Sequence, residues 1–552
     1  MHKNKLWVLL FIILALLPVL SLLHPGLPWT HDGQDQVARI ANFYQNLIEG
    51  NLIPRWAENL NWGYGHPILE FLYPLPSYIA SFFHLAGLSL VDSVKIVFGL
   101  GMVLSLLFMY LWLSQFCSKW AALFGAVLYT YAPYRFVDLY VRGDIGENLA
   151  FAFLPLVLFF LYKLYKASDL RYSVYGGISL ALFILAHNSV SLMFMPVVIL
   201  YSALLIYLSK DKKSLIISHL SLIILGFLLS AFFWVPALLE GKYTLRNIVT
   251  KGGYLDRFVS LGQLIYGPWN YGQTGQFTVQ FGPFQWLAFI MAPLTAYMFK
   301  KDKYKLYFVL LLIVSCLLSI FIMLPVSNFL WSRVMLLQNF QFPWRFLGIS
   351  LFSTAVLGAL LIDAISNRVR PQYVVLGSVL IVLVISSFYW MPKGFLYKPE
   401  SFYSGVYYGT TDTGESAPIW SVRFMEHTPK APIQVISGQG KVRELDRKVT
   451  YRLYSFSSSQ SARVVINTLY FPNWEVLVDG NSVPLQFQDP QYRGLITFNV
   501  PAGNHTIQAE FKDTKLREVT DFISAAFIFL VLIFFVLLIL RPDLKIGKLI
   551  KI

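Results

Sequence analysis

The chain has 552 residues, of which 56% are hydrophobic, 17% aromatic and only 13% charged, with a formal net charge of +15. This balance is too apolar for an ordinary soluble domain and marks a polytopic membrane protein. Its two cysteines, Cys117 and Cys316, stand apart in sequence and offer neither a disulfide framework nor a CxxC metal site.

The first apolar run, 6–23, follows Lys3 and Lys5 and is long enough to cross the hydrocarbon. No small-residue cleavage pattern follows it, so a retained anchor is expected. Runs at 92–114, 119–133, 146–163, 172–187, 190–208, 214–236, 283–299, 304–324, 344–364, 372–390 and 520–540 bring the expected spans to about twelve. Residues 67–90 are also apolar, but Glu70, Pro74 and Pro76 interrupt them, and a re-entrant or interfacial segment is expected there.

Basic residues then sort the loops. Lys3, Lys5, Lys119, Lys163, Lys166, Arg171, "KDKK" at 210–213, "KKDKYK" at 300–305, Arg368, Arg370 and the tail from Arg541 to Lys551 crowd into short connections on one side. The longer loops of the other side carry few. Positive-inside bias makes the first side cytoplasmic, with both termini on it. The basic excess is thus a topology signal and calls for no nucleic acid.

Every chemically suggestive stretch falls on the outer side: "HDGQDQVAR" at 31–39, "PYRFVDLYVRGDIGEN" at 133–148, "HNS" at 187–189, the loop 237–282, "QNFQFPWRF" at 338–346, and 392–518. The last block alternates polar and apolar residues between turn signals such as Asp479-Gly480, the pattern of an antiparallel β-sandwich. The expected organisation is a membrane domain, 1–391, whose outer loop 24–91 holds an amphipathic helix; an extracytoplasmic sandwich, 392–518; and 519–552, a final span with a basic cytoplasmic tail.

Val37, Ile40, Ala41, Tyr44, Leu47 and Ile48 recur at helical spacing and predict that helix along the membrane surface. Asp32 stands at its start. It is an N-cap alone, with Asp35 in the first turn, or, without excluding that cap, a carboxylate at the water boundary, beside His31 and Asp35, that accepts a proton from an incoming hydroxyl.

An N-terminal span, an outer loop opening on an aspartate and continuing as a surface helix, many spans and a C-terminal soluble domain together resemble the GT-C membrane glycosyltransferases. More narrowly, "HDGQDQVARIANFYQNLIEGNLIPRW", "YGHPILEFLYPLPSYIASFFHLAG", "APYRFVDLYVRGDIGENLAFAFLPL", "LAHNSVSLMF" and "FQFPWRFLG" look like the bacterial family labelled 6-pyruvoyl-tetrahydropterin-synthase-related membrane protein. The resemblance covers residues 1 to about 390. The label implies no pterin chemistry here, because the nine histidines are scattered and include no HxH pair for zinc.

The resemblance implies glycosyl transfer on the outer face of a bacterial cytoplasmic membrane, from a polyprenyl-phosphate-linked sugar to a cell-envelope acceptor. Asp32 takes the role of base, with Asp35 in reserve. The departing phosphate needs cations, which Arg142 and Arg345, then Arg39 and Arg135, supply at outer membrane ends. The alternative is that these arginines anchor helices or pair with Glu147, Asp138 or Asp144. His31, Glu147, His187 and Asn188 complete the expected substrate-binding set, and the aromatic loop 266–286 suits a lid over the sugar. Glu240 and Asp256 are the candidate residues for a divalent cation, but no ligand spacing marks a site. The rival functions are a transporter or flippase of lipid-linked sugars and a non-catalytic scaffold with a carbohydrate-binding sandwich.

Overall fold

A computed structural model describes residues 2–167, 169–272, 277–366 and 369–540. Arg368, the 273–276 part of the aromatic loop and the basic tail 541–552 lie outside the described residues. Among the described residues nine helices are long and apolar enough to cross a membrane: Lys5–Leu23, Leu90–Leu113, Ile145–Lys166, Asn188–Leu208, Lys212–Leu229, Lys303–Met323, Pro343–Ile365, Pro371–Tyr389 and Lys515–Leu540. Side-chain caps set where several apolar helices begin. Ser89, Asp144, Asp169, His187, Asp211 and Asp302 each accept a backbone N–H of the first turn. The acids inside "KDKK" and "KKDKYK" are therefore caps.

Three of the twelve expected runs form shorter or divided helices. Lys119–Thr130 has 12 residues, and Leu170–Ala186 has 17. The run 283–299 divides into Pro283–Ile290 and Ala292–Met298, because Pro293 lacks the N–H that would continue the first helix. Residues 67–90 form Ile68–Phe71 and Leu75–Leu85 around the proline pair. The second has 11 residues, about 16 Å of helix and roughly half a hydrocarbon core.

Ile145–Lys166 and Pro343–Ile365 run through the middle of the bundle with most of their length buried, whereas Lys515–Leu540 packs at the periphery. Close packing around the second central helix depends on Gly125. A Cβ there would lie 2.7 Å from the Ala359 Cβ and 3.1 Å from the Ala355 carbonyl.

The C-terminal block holds two antiparallel sheets. Strands β1 (Leu27–Pro28) and β2 (Phe395–Leu396) pair the loop after the first long helix with the chain leaving Pro371–Tyr389. Beyond them come β3 (Ile433–Ser437), β4 (Lys441–Lys448), β5 (Tyr451–Ser458), β6 (Ala462–Leu469), β7 (Trp474–Val478), β8 (Asn481–Ser482), β9 (Leu495–Val500) and β10 (Gly503–Phe511). One sheet has the order β4-β5-β10-β7-β8 and the other β3-β6-β9. Tyr454, Phe456, Val476, Val478, Ile507 and Ala509 are the buried, alternate residues of the larger sheet. Asp479 and Gly480 turn the β7–β8 hairpin with φ of 50° and 81°, both left-handed as a two-residue loop of this type requires.

The predicted amphipathic helix spans Gly33–Ile48, but its polar side is covered. Asp35 accepts from the Tyr407 hydroxyl at 2.7 Å, Asn42 accepts the Asn59 amide at 2.9 Å, and Arg39 bonds Thr411. The helix is thus enclosed by protein along much of its length, with Gln36, Arg39, Asn42 and Asn46 all buried. The sequence reading laid this helix along the membrane surface and did not foresee that cover.

The split of basic residues carries a testable topology. In a protein freed of Cys117 and Cys316, a cysteine at the exposed Asn481 is expected to react with an impermeant thiol reagent in intact cells, and one at the exposed Lys212 is not. Labelling at Lys212 alone would invert the assignment.

Candidate functional site

The start of helix Gly33–Ile48, the loop around Arg142–Asp144, the His187–Asn188 turn, residues 339–345 and residues 411–416 enclose a cavity of about 470 Å³. Its lining includes His31, Asp32, Asp35, Arg39, Arg142, His187, Asn188 and Arg345. Of the expected site residues Glu147 and Arg135 are not on its wall.

Backbone bonds fix the acidic corner. The amides of His31 and Asp32 donate to the carbonyls of Val141 and Arg142 at 2.9 and 2.8 Å. Gly143 permits this approach: its φ is +73°, and a Cβ would lie 2.2 Å from the Thr30 hydroxyl. That hydroxyl accepts the Gly33 amide at 3.1 Å. Asp32 occupies the N-cap position, yet its side chain makes no cap hydrogen bond. Among the described residues the carboxylate forms no hydrogen bond or ion pair at all, so capping does not account for it. Burial, and then the charge of Asp144, push its pKa up to about 6 against the pull of Arg142. Asp35 is raised too, by burial, with the Tyr407 hydrogen bond opposing.

Arg142 is enclosed by acids. It pairs with Asp138, with Glu147 at 2.7 Å and with Asp144 at 2.8 Å, and its guanidinium lies 4.7 Å from the Trp344 ring centroid. Its charge is thereby matched within the protein, which is the pairing alternative rather than an open phosphate grip. Glu147 sits behind it and accepts from the Tyr134 hydroxyl at 2.6 Å. Asp144 caps the helix Ile145–Lys166 through the Glu147 amide at 2.9 Å. Burial alone would raise Asp144, but Arg142 and His187 hold it well below the usual carboxylate range.

His187 accepts the Val190 amide at Nδ1, 3.2 Å away, so the neutral ring carries its proton on Nε2, which faces Asp144 at 3.7 Å. Tyr73 stacks on it at 4.5 Å and lines the cavity. Asn188 donates to the Phe71 carbonyl at 3.2 Å. Asp144, Glu147 and His187 lie close enough together to ligate a metal ion. Arg142 already pairs with both carboxylates, however, and the protonated Nε2 offers no lone pair, so the donor set is closed by its own ion pairs. Glu240 and Asp256 form no metal pair either. Glu240 binds Arg517 at 2.6 Å, while Asp256 faces Arg257 at 3.4 Å.

Cations on the other side of the cavity are less matched. The guanidiniums of Arg345 and Arg257 lie 5.1 and 5.7 Å from the Phe342 ring centroid; the Nε of each is buried without a hydrogen bond, though that of Arg257 has Asp256 at 3.4 Å as an ion-pair partner. Arg345 donates to the Phe340 carbonyl at 3.2 Å and, among the described residues, meets no carboxylate within ion-pair distance. Arg39 is tied to Gln36 and to Thr411. Arg135 lies away from the cavity, buried against Ser105, Asn148 and the Phe151 ring. His31 donates from Nε2 to the Tyr271 carbonyl at 2.9 Å, which joins the described part of the aromatic loop to the cavity rim.

The sequence reading missed Arg257 as a cavity residue and the whole segment 411–416. Asp412 organises that segment by accepting the amides of Gly414 and Ser416 at 2.9 and 3.0 Å, and His66 at 3.7 Å helps to hold its carboxyl low against burial. Glu415 accepts from Gln341 at 3.1 Å. The available signal was "GTTDTGES" at 409–416, a turn-rich stretch without strand alternation.

Residues 69–341 match the family model of the 6-pyruvoyl-tetrahydropterin synthase related domain of membrane proteins. That domain contains Arg142, Asp144, Glu147, His187, Asn188 and Arg257, while Asp32, Asp35, Arg39 and Arg345 lie on either side of it. An uncharacterized protein of Lactococcus lactis subsp. cremoris is 27% identical over 233 residues, which cover 40% of this chain and 37% of that protein. Two GT-C glycosyltransferases are similar in structure. The mycobacterial arabinofuranosyltransferase AftD has a TM-score of 0.49 at 15% identity, over 72% of this chain and 28% of its own. The Archaeoglobus fulgidus oligosaccharyltransferase has a TM-score of 0.41 at 17% identity, over 70% of this chain and 54% of its own.

Proposed function

We propose that the cavity transfers a sugar from a lipid-linked phosphate donor to a hydroxyl of an envelope acceptor. The observation that carries this reading is Asp32: a carboxylate on the cavity wall, free of a capping bond and with its pKa pushed up to about 6. In the proposed step Asp32 removes the acceptor's hydroxyl proton as its oxygen bonds to the anomeric carbon. The anomeric carbon–phosphate oxygen bond breaks, and its electron pair leaves on the lipid phosphate. Arg345 is the first candidate to meet that charge, since its buried Nε has no hydrogen-bond partner and its guanidinium no carboxylate partner among the described residues, and Arg257, whose Nε faces Asp256, is the second. Arg142 instead anchors the acidic corner. Polar groups of Asp35, Asn188 and Glu415 supply acceptors and donors for sugar hydroxyls.

A base must be ionised to act, so the rate should rise with pH through a limb centred near 6. At pH 5 roughly a tenth of the plateau rate should remain, the ionised fraction of such a group. Sugar transfer measured in isolated membranes from pH 4 to 8 checks this. A limb near pH 4, or a rate that falls as pH rises through 6, would count against Asp32 as the base.

A further inference from the structure

A second cavity, of about 460 Å³, opens at the seam between the outer loop of the membrane domain and the sheet β3-β6-β9. Its volume is in the range that holds a small ligand. Lys430, Arg493 and His427 line it, and no carboxylate does. Among the described residues Lys430 and Arg493 enter no ion pair. Gln434 on β3, Asn467 on β6 and Gln491 add amides, groups that both donate to and accept from hydroxyls, and Tyr64 and Tyr492 add aromatic surface.

The wall contributed by the membrane domain is held in an unfavourable backbone conformation. Asn61 and Trp62 have φ of 54° and 62°, consecutive left-handed positions without glycine, and Gly63 and Gly65 follow at 84° and 81°. Three contacts keep this loop in place. The Met425 amide donates to the Asn61 side chain at 2.9 Å, Trp62 stacks on Tyr408 at 4.1 Å, and the Leu469 amide donates to the Tyr64 carbonyl at 2.9 Å. The strained turn thus delivers Tyr64 to the seam. One stretch of chain serves both cavities, because Thr411–Ser416 line the first and Val422, Met425, His427 and Lys430 line the second.

We propose that the seam cavity is a binding site for an anionic saccharide, a sugar segment bearing carboxylate or phosphate. Lys430 and Arg493 meet the charge, the amides of Gln434, Asn467 and Gln491 read the hydroxyls, and a ring of the sugar lies against Tyr492. Binding there does not depend on the transfer reading. Joined to that reading, it makes the acceptor an anionic envelope glycan.

The test is calorimetric titration of the purified full-length protein at about 0.15 M salt, where diffuse surface attraction is screened. The probes are oligogalacturonate, a phosphorylated malto-oligosaccharide and the unmodified malto-oligosaccharide of the same length. Saturable binding of one or both anionic probes is expected, with the neutral one at least about tenfold weaker, and the tighter anion identifies carboxylate or phosphate as the preferred charge. The pair Lys430→Glu with Arg493→Glu, both at exposed positions, should weaken that binding at least about tenfold with the unfolding temperature unchanged. A control pair on β4 outside the cavity, Lys441→Glu with Arg443→Glu, should leave it unchanged, and so should Asp32→Asn. The proposal fails if neither anionic probe binds saturably, if the neutral probe binds as tightly, if the β4 pair weakens binding as much, or if Asp32→Asn abolishes it.

Discussion

Asp32→Asn is expected to lower sugar transfer at least about 10²-fold, close to 3 kcal/mol of transition-state stabilisation, while the protein accumulates and melts like the wild type. Asparagine matches the carboxylate in shape and cannot take the acceptor's proton. A lost helix cap would instead cost about 1 kcal/mol of stability and leave the chemistry intact. The Asp32 side chain makes no cap bond and Thr30 holds the Gly33 amide, so the loss of a cap is not expected. Asp35→Asn should be milder, because the Tyr407 hydroxyl can still donate to an amide oxygen. Transfer assays on membranes carrying equal amounts of each protein decide the matter. Near-normal transfer by Asp32→Asn would remove this residue from the reaction.

Arg142→Gln is expected to act on folding. The guanidinium is the shared partner of Asp138, Asp144 and Glu147, whose side chains are almost wholly buried. Removing one partner of a buried ion pair costs about 3–5 kcal/mol, since the remaining charges have neither water nor a counter-ion. A large fall in unfolding temperature in detergent, or failure to accumulate, is therefore predicted. Adding Glu147→Gln to Arg142→Gln should recover part of the loss, because it removes one of the stranded charges. If Arg142 were chiefly a grip on substrate phosphate, Arg142→Gln would melt normally and only bind donor more weakly.

The membrane class and most of the spans are legible in the sequence because hydropathy over some twenty residues reports burial in lipid directly. Where an expected run is divided, the cause is local. Pro293 splits an apolar run whose average hydropathy does not register the break. Sequence also gathers His31, Asp32, His187 and Arg345 into one site, because topology puts the outer ends of their segments on one side. It leaves the pairing of Arg142 open. "VRGDIGEN" shows the acids nearby, but whether they or a ligand take the guanidinium depends on the turn at Gly143. Contacts across very long separations leave no periodic trace at all. Tyr407 meets Asp35 from 372 positions away, so the wall formed by 411–416 and the covered face of helix Gly33–Ile48 emerge only from the structure.

The central claim is that this protein adds a sugar to the cell envelope. Mass spectrometry of envelope glycans tests it most directly, comparing cells that carry the protein, cells that lack it, and lacking cells supplied with Asp32→Asn. The account predicts one sugar missing from the deleted cells, restored by the wild-type protein and still missing with Asp32→Asn. Identical glycans in all three would contradict it.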